Sequence, residues 1–330
     1  MNDPAVARRI RDLRPPKDYV DPYRSHGSVV EDERRPDGTL ERALTIFLAG
    51  AECAFTCSFC DLWRGTIEGP TPAGALTRQI ETVLSTFSDV QCERVKLYNS
   101  SNFFDRRAVP LSDLRGIAAL TAPFAAVTVE SHANTIGPAA LEFAEQISGR
   151  LEIAVGLETI HPVAAAQLNK RLDLARFDRA ARFLLDNDID LRVFVLLGAP
   201  HIPASESVAW TVRTVEYAVD RGAAVVSVIP VRGGNGEMER LQAEGEFTPP
   251  TLLQLEEVLD RCAHIRCAVV TADLWDVERL PACEHCRARR VERMLRFNIS
   301  GRAEAPIVCD GARSSGSASV ETPIPAGQRA

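Results

Sequence analysis

The sequence predicts an α/β protein whose mostly parallel sheet curls into a complete or partial barrel. Short apolar runs of strand length recur at residues 44–48, 94–97, 125–129, 151–155, 192–197, 225–229 and 268–270. Amphipathic stretches of helical period lie between them, and this alternation is the mark of βαβ units. Six or seven such units suit a barrel better than a short open sheet. In such folds chemistry collects on the loops at the C-terminal ends of the strands.

The elements follow in order. Residues 1–42 are rich in charge and proline and read as an extended N-terminal lead-in that wraps the core. The first strand, 44–48, opens a barrel core spanning 43–240. Residues 75–87 then carry Leu76, Ile80, Val83 and Leu84 at helical spacing, and residues 177–185 and 208–219 behave likewise. Residues 241–310 form a C-terminal region. The tail, 311–330, is small, polar and proline-bearing; it has too little apolar surface to offset its ordering entropy and is expected to be disordered. No internal repeat is visible.

Composition sets the class. The 330 residues are 45% hydrophobic and 25% charged, which excludes collagen-like, coiled-coil and wholly disordered chains. A core of this size needs no disulfides. Lys+Arg 38 against Asp+Glu 45 gives a net charge of −7, which argues against a basic nucleic-acid coat. No run of 18 apolar residues exists, so neither a transmembrane helix nor a membrane partner is expected. Residues 1–16 lack the apolar stretch of a signal peptide, and the expected location is cytoplasmic. Structural disulfides are rare there. The nine cysteines, at 53, 57, 60, 92, 262, 267, 283, 286 and 309, therefore point to metal or redox chemistry.

The strongest signal is LTIFLAGAECAFTCSFCDLW. Cys53, Cys57 and Cys60 follow the first strand at once, spaced C-x3-C-x2-C. Three thiolates on one short loop can converge on one soft metal centre. A four-iron cluster held by three cysteines leaves one iron open to a small molecule. A structural zinc site would need a fourth ligand, and no His or further Cys lies in or soon after this loop.

This loop resembles the radical SAM superfamily motif C-x3-C-x-aromatic-C, with Phe59 in the aromatic place. The resemblance implies a partial (β/α)6 barrel with N-terminal and C-terminal extensions. It also implies a [4Fe–4S] cluster on Cys53, Cys57 and Cys60 whose open iron takes S-adenosylmethionine (SAM). One electron, from a donor such as flavodoxin or ferredoxin, cleaves SAM to a 5′-deoxyadenosyl radical that abstracts hydrogen from substrate. The cofactor carries this chemistry, while the protein orients it and excludes water.

Other strand ends supply candidates. Asn99 and Ser100 stand where many family members have a Gly-Gly-Glu segment at the methionine amine, and that tripeptide is absent here. Glu130 ends the third strand and Glu158 the fourth; a carboxylate there can hold an ammonium or ribose hydroxyls, or make a rim salt bridge. In the segment 168–171 a basic residue, Lys170, either meets the SAM carboxylate or marks a solvated helix end. Gly198 would let backbone approach adenine, and Arg232 sits in a glycine loop within reach of a phosphate or carboxylate. The segments AVGLET, LNK and KLYNS-x-NFFD place the resemblance, over roughly residues 44–240, nearest the branch of the archaeosine-synthase radical SAM subunit and the elongator-type proteins.

A second group comprises Cys283 and Cys286, spaced C-x2-C, with Cys309 further on; Cys267 or Cys262 could fold nearby. It suits an auxiliary [4Fe–4S] cluster, a zinc ion or no metal at all. In residues 287–296, Arg289, Arg293 and Arg296 share a helix face. That face either meets a phosphate or is simply solvated. Two substrate classes follow. One is a small nucleotide- or sugar-like molecule undergoing hydrogen abstraction, with sulfur insertion if the second group is a cluster. The other is tRNA, through archaeosine-type C–N cleavage.

Overall fold

A single eight-stranded sheet carries the chain, with strands in sequential order. The computed structural model describes residues 4–87 and 89–309, so the 311–330 tail lies outside the described residues. The strands are β1 (Gly27–Arg34), β2 (Leu40–Phe47), β3 (Arg94–Tyr98), β4 (Ala126–Glu130), β5 (Arg150–Glu158), β6 (Asp190–Leu197), β7 (Val225–Pro230) and β8 (Val269–Ala272). From β2 to β8 all neighbours are parallel; β1 pairs antiparallel with β2. The helices are α1 (Pro4–Asp12), α2 (Ala75–Thr86), α3 (Leu111–Thr121), α4 (Pro138–Ala144), α5 (Pro162–Gln167), α6 (Leu174–Asp186), α7 (Ser207–Asp220), α8 (Glu237–Ala243), α9 (Leu252–Cys262) and α10 (Arg287–Ser300). This is the expected partial barrel, with six βα units from β2 to β7 and β8 beyond them.

The core lies between the helices and one face of the sheet. Leu44, Ile46, Val95, Leu97, Val127, Val129, Ile153, Val193 and Val195 alternate along the strands and pack against Leu76, Ile80, Ile117, Phe143, Phe177, Leu184 and Val215. The opposite face holds a charged network instead of the branched residues usual in barrels. Arg94 pairs with Glu41 at 2.6 Å, Arg192 with Glu152 at 2.7 Å and Glu33 at 2.9 Å, and Lys96 with Glu31 at 2.6 Å. Thr128 links Arg94 to Glu152. Burial pushes Glu152 and Glu33 up, and the surrounding Arg192, Arg94 and Lys96 charges more than reverse it; both carboxyls stay below the usual carboxylate range. The strands read as simple apolar runs in sequence, yet Arg94 and Lys96 of β3 and Arg192 of β6 point into this network.

Two corrections arise at the ends. The 1–42 stretch is not merely extended, since it contains α1 and the edge strand β1. Its charges made it read as solvated, but Glu31 and Glu33 turn inward to Lys96 and Arg192. Asp37-Gly38 makes the hairpin turn to β2, with Gly38 at φ 84°. The arginine helix, α10, turns Arg290 and Arg293 inward, while Arg289 and Arg296 stay exposed. It packs against β1, β8 and α9, across the side where the sheet's two edge strands stand. Arg293 reaches Glu256 at 3.1 Å and Asp260 at 2.7 Å, Arg290 pairs with Glu256, and Arg296 meets Glu304 at 2.7 Å. Arg290 and Arg293 are buried. No described helix is long and apolar enough to cross a membrane.

Candidate active site

The cysteine loop leaves β2 at its C-terminal end, where the parallel strands present their loops. Leu48, Ala49 and Ala51 are fully buried. Ala49 is held from both sides by the Gln79 side chain of α2, at 2.9 Å and 2.8 Å. Cys53, Cys57 and Cys60 then stand half-buried on the same loop.

Three asparagines, each from a different strand-end loop, clamp that loop. Asn102, after β3, donates to Cys53 Sγ at 3.3 Å. Asn169, after β5, donates to the Thr56 carbonyl at 2.6 Å. Asn235, after β7, donates to the carbonyls of Ser58 and Cys60 at 2.8 Å and 3.2 Å. The sequence reading passed over all three, although each lies inside a segment that it singled out. An amide reads as a polar turn residue until the structure shows what it holds. From the N-terminal side Arg14 pairs with Glu52 at 2.7 Å, and Arg11 donates to Thr56 Oγ1 at 3.1 Å. The lead-in thus braces the same loop.

His132 locks a second layer. Its Nδ1 accepts from the Asn134 N–H at 3.0 Å, so Nε2 carries the proton and donates to the Lys170 carbonyl at 2.9 Å. Burial pushes its pKa down to about 3, so the ring is neutral. Its backbone N–H donates to Asn102 Oδ1 at 2.7 Å, and its ring stacks on Phe55 with centroids 3.9 Å apart.

The named candidates fall into three groups. Glu158 and Lys170 meet: Lys170 Nζ lies 2.6 Å from Glu158 Oε1, both buried. Burial alone would lower the Lys170 pKa, but Glu158, Cys57 and Cys53 hold it above the usual lysine value. Burial likewise pushes the Cys57 thiol up to about 12. A fixed ammonium beside buried sulfurs favours thiolates once a metal draws them.

Glu130, Asn99 and Ser100 form the second group. Glu130 Oε1 accepts from the Asn99 N–H at 2.7 Å, and the Ser100 and Ser101 N–H groups also face it. Burial outweighs these donors and pushes its pKa up to about 7. Glu130 therefore shapes the loop after β3. Ser100, Glu158, Asn169 and Arg171 all adopt left-handed backbone, with φ between 54° and 69°, and such strain in residues other than glycine collects at functional loops.

The third group stands apart. Phe59 packs into an apolar cluster with Val231 and Met238 and so anchors the loop. At Gly198, φ is 77° and a Cβ would meet Pro250 at 2.7 Å, so glycine is required by packing there. Arg232 pairs with Asp273 at 3.4 Å and donates to the Trp275 carbonyl.

The donor set fits a cluster with SAM beside it. Asn99 is fully buried, yet neither atom of its side-chain amide has a hydrogen-bond partner within the described residues, and the same holds for Ser58 Oγ and Ser101 Oγ. Buried polar groups are normally satisfied. These atoms suit the amine, carboxylate and hydroxyls of a bound cofactor. Asn99→Ala is accordingly expected to weaken SAM binding about tenfold, a loss of about 1.4 kcal/mol, because buried donors and acceptors aimed at a ligand carry such energies. Thermal stability should stay unchanged, since the amide bonds nothing in the chain. Equilibrium dialysis alongside a melting curve checks both.

No protein-family model and no curated protein matches the sequence. Among solved structures, the chain is similar to the archaeal Methanocaldococcus infernus Elp3 (12% identity, TM-score 0.49, covering 66% of this chain and 57% of that one). It is also similar to a radical SAM methyltransferase from Sphaerobacter thermophilus (16%, 0.47, 76% and 77%). A third is coproporphyrinogen III oxidase, HemN, from Escherichia coli, a radical SAM enzyme (13%, 0.40, 64% and 50%). The chain thus spans little more than half of the Elp3 chain.

Proposed function

We propose that the chain is a radical SAM enzyme that abstracts hydrogen from a small nucleotide- or sugar-like substrate. The observation that carries this is the C-x3-C-x-Phe-C loop at the C-terminal end of the first parallel strand, clamped by asparagines from three other loops. Cys53, Cys57 and Cys60 would hold a [4Fe–4S] cluster. When bound, that cluster supplies the electron and the open iron for SAM cleavage. The chain's own residues do the rest. Asn102 orients Cys53 and lends its sulfur an N–H donor. Lys170, fixed by Glu158, keeps positive charge beside Cys57. Asn99 and Ser101 offer buried polar atoms to an amine or hydroxyl.

The substrate class is supported by the barrel mouth. Phe47 lies 5.3 Å from the Trp275 ring and 6.5 Å from that of Tyr98, and Tyr98 lies 6.2 Å from Phe194. The Arg232–Asp273 pair stands beside Trp275. Flat rings with a cation and a carboxylate at hand suit a planar, polar molecule. An external one-electron donor of the flavodoxin or ferredoxin kind belongs to this reading. The tRNA alternative loses part of its support, because Arg290, Arg293 and Arg296 of α10 pair with Glu256, Asp260 and Glu304, which leaves Arg289 exposed. Binding assays with bulk tRNA at low salt should show no affinity, whereas micromolar binding that weakens steeply with salt would restore that alternative.

A further inference from the structure

We propose that Cys283, Cys286 and Cys309 hold a single zinc ion that staples the returning C-terminal segment to the mouth of the barrel. These three place one ligand atom each within 4.8 Å of one another, and no other group of three or more does so among the described residues. The Cys283 and Cys309 sulfurs are 3.4 Å apart. A tetrahedral zinc with Zn–S of about 2.3 Å puts its sulfurs roughly 3.8 Å apart, so this spacing suits one atom shared by three sulfurs. A four-iron cluster attaches each cysteine to a different iron and spreads them more widely.

The surroundings are those of a thiolate site. The backbone N–H groups of His285 and Cys286 face the Cys283 sulfur. Cys286 is buried at the N-terminal cap of α10, where the helix dipole favours a negative sulfur. Arg290 Nε donates to Cys286 Sγ at 3.1 Å, while its other nitrogens bond Glu256 and the Ile307 carbonyl at 3.1 Å. A guanidinium fixed in this way neutralises a thiolate and orients it. Cys262 and Cys267 do not join the group. Three sulfurs leave one position of the tetrahedron for water or a small anion.

Topology says what the ion would do. β8 ends at the same face as the cysteine loop, and the turn holding Cys283 follows it. α10 then runs away from that face, and residues 301–309 return along it, held by Arg293 on the Glu304 carbonyl and Arg290 on that of Ile307. Zinc would fix the end of that return. The same turn is tied to the site, since Arg279 donates to the Gly233 carbonyl at 3.0 Å, next to Arg232.

The test is metal analysis of the full chain purified without oxygen. About one zinc per chain is expected. Cys309→Ser should lose it, while the combined Cys53→Ala, Cys57→Ala and Cys60→Ala variant should keep zinc and lose iron. The two sites are thereby judged separately. Should Cys309→Ser fail to fold, the wild type suffices, because chelation should release one zinc and speed tryptic cleavage after Arg302. Two results would overturn the proposal. One is iron above four per chain that falls by about four when Cys283 and Cys286 are replaced. The other is failure of the reduced wild type to retain one added equivalent of zinc.

Discussion

Cys57→Ala is expected to reduce 5′-deoxyadenosine formation to background and iron content well below the four per chain of a filled cluster. Cys57 lies on a loop whose backbone is held at Thr56, Ser58 and Cys60 by Asn169 and Asn235, so the loop keeps its course without the sulfur. The variant should therefore keep the wild-type circular dichroism spectrum and melting temperature. The loss would then be chemical rather than structural. Undiminished 5′-deoxyadenosine from this variant would place the cluster elsewhere.

Glu152→Gln should have the largest effect on stability. Glu152 is buried and faces both Arg94, at 3.3 Å, and Arg192, at 2.7 Å. Removing its charge breaks both pairs, and leaves Arg94 with Glu41 alone and Arg192 with Glu33 alone. Breaking a buried pair in this way costs about 3–5 kcal/mol. In a chain of this size that lowers the melting temperature by on the order of 10 °C. The pH dependence follows from the direction of the shift. Glu152 and Glu33 lie below their ordinary value of 4.5 in the folded state. The stability they contribute is present above that value and lost as pH falls through the folded-state range. Their contribution to wild-type stability should therefore be constant from neutrality to about pH 5 and fall below it. The variant should start lower and fall less steeply. A variant with the wild-type profile would show that the network contributes no net stability.

The barrel was legible because βα alternation is a long-range signal repeated over two hundred residues, and the helix-facing half of each strand is apolar. The inner face was not legible. Arg94, Lys96, Glu152 and Arg192 sit at every second position, and a period of two disappears when a short run is scored for hydrophobicity. β1 was missed for the same reason, since Glu31 and Glu33 look like surface charges until Lys96 and Arg192 are seen opposite them. Its turn, Asp37-Gly38, was the available clue.

At the site, the cysteine loop could be read directly because its ligands are close in sequence and follow a strand. Pairs between distant loops could not be read in the same way. Glu158 and Lys170 were singled out separately, and their 2.6 Å contact comes only from the fold. The three clamping asparagines have no spacing in common, so nothing in one sequence links them. The stripe on α10 is split: Arg293, with Arg290 beside it, is answered by Glu256 and Asp260 on α9, while Arg289 and Arg296 stay exposed as the solvated alternative had it.

The central claim is tested most directly by incubating the reconstituted full chain with SAM and a strong one-electron reductant under anaerobic conditions, and quantifying 5′-deoxyadenosine and methionine. The account predicts both products in equal amounts, dependent on reductant and absent from Cys57→Ala. A wild-type chain that carries four irons, binds SAM and yields no 5′-deoxyadenosine would contradict it.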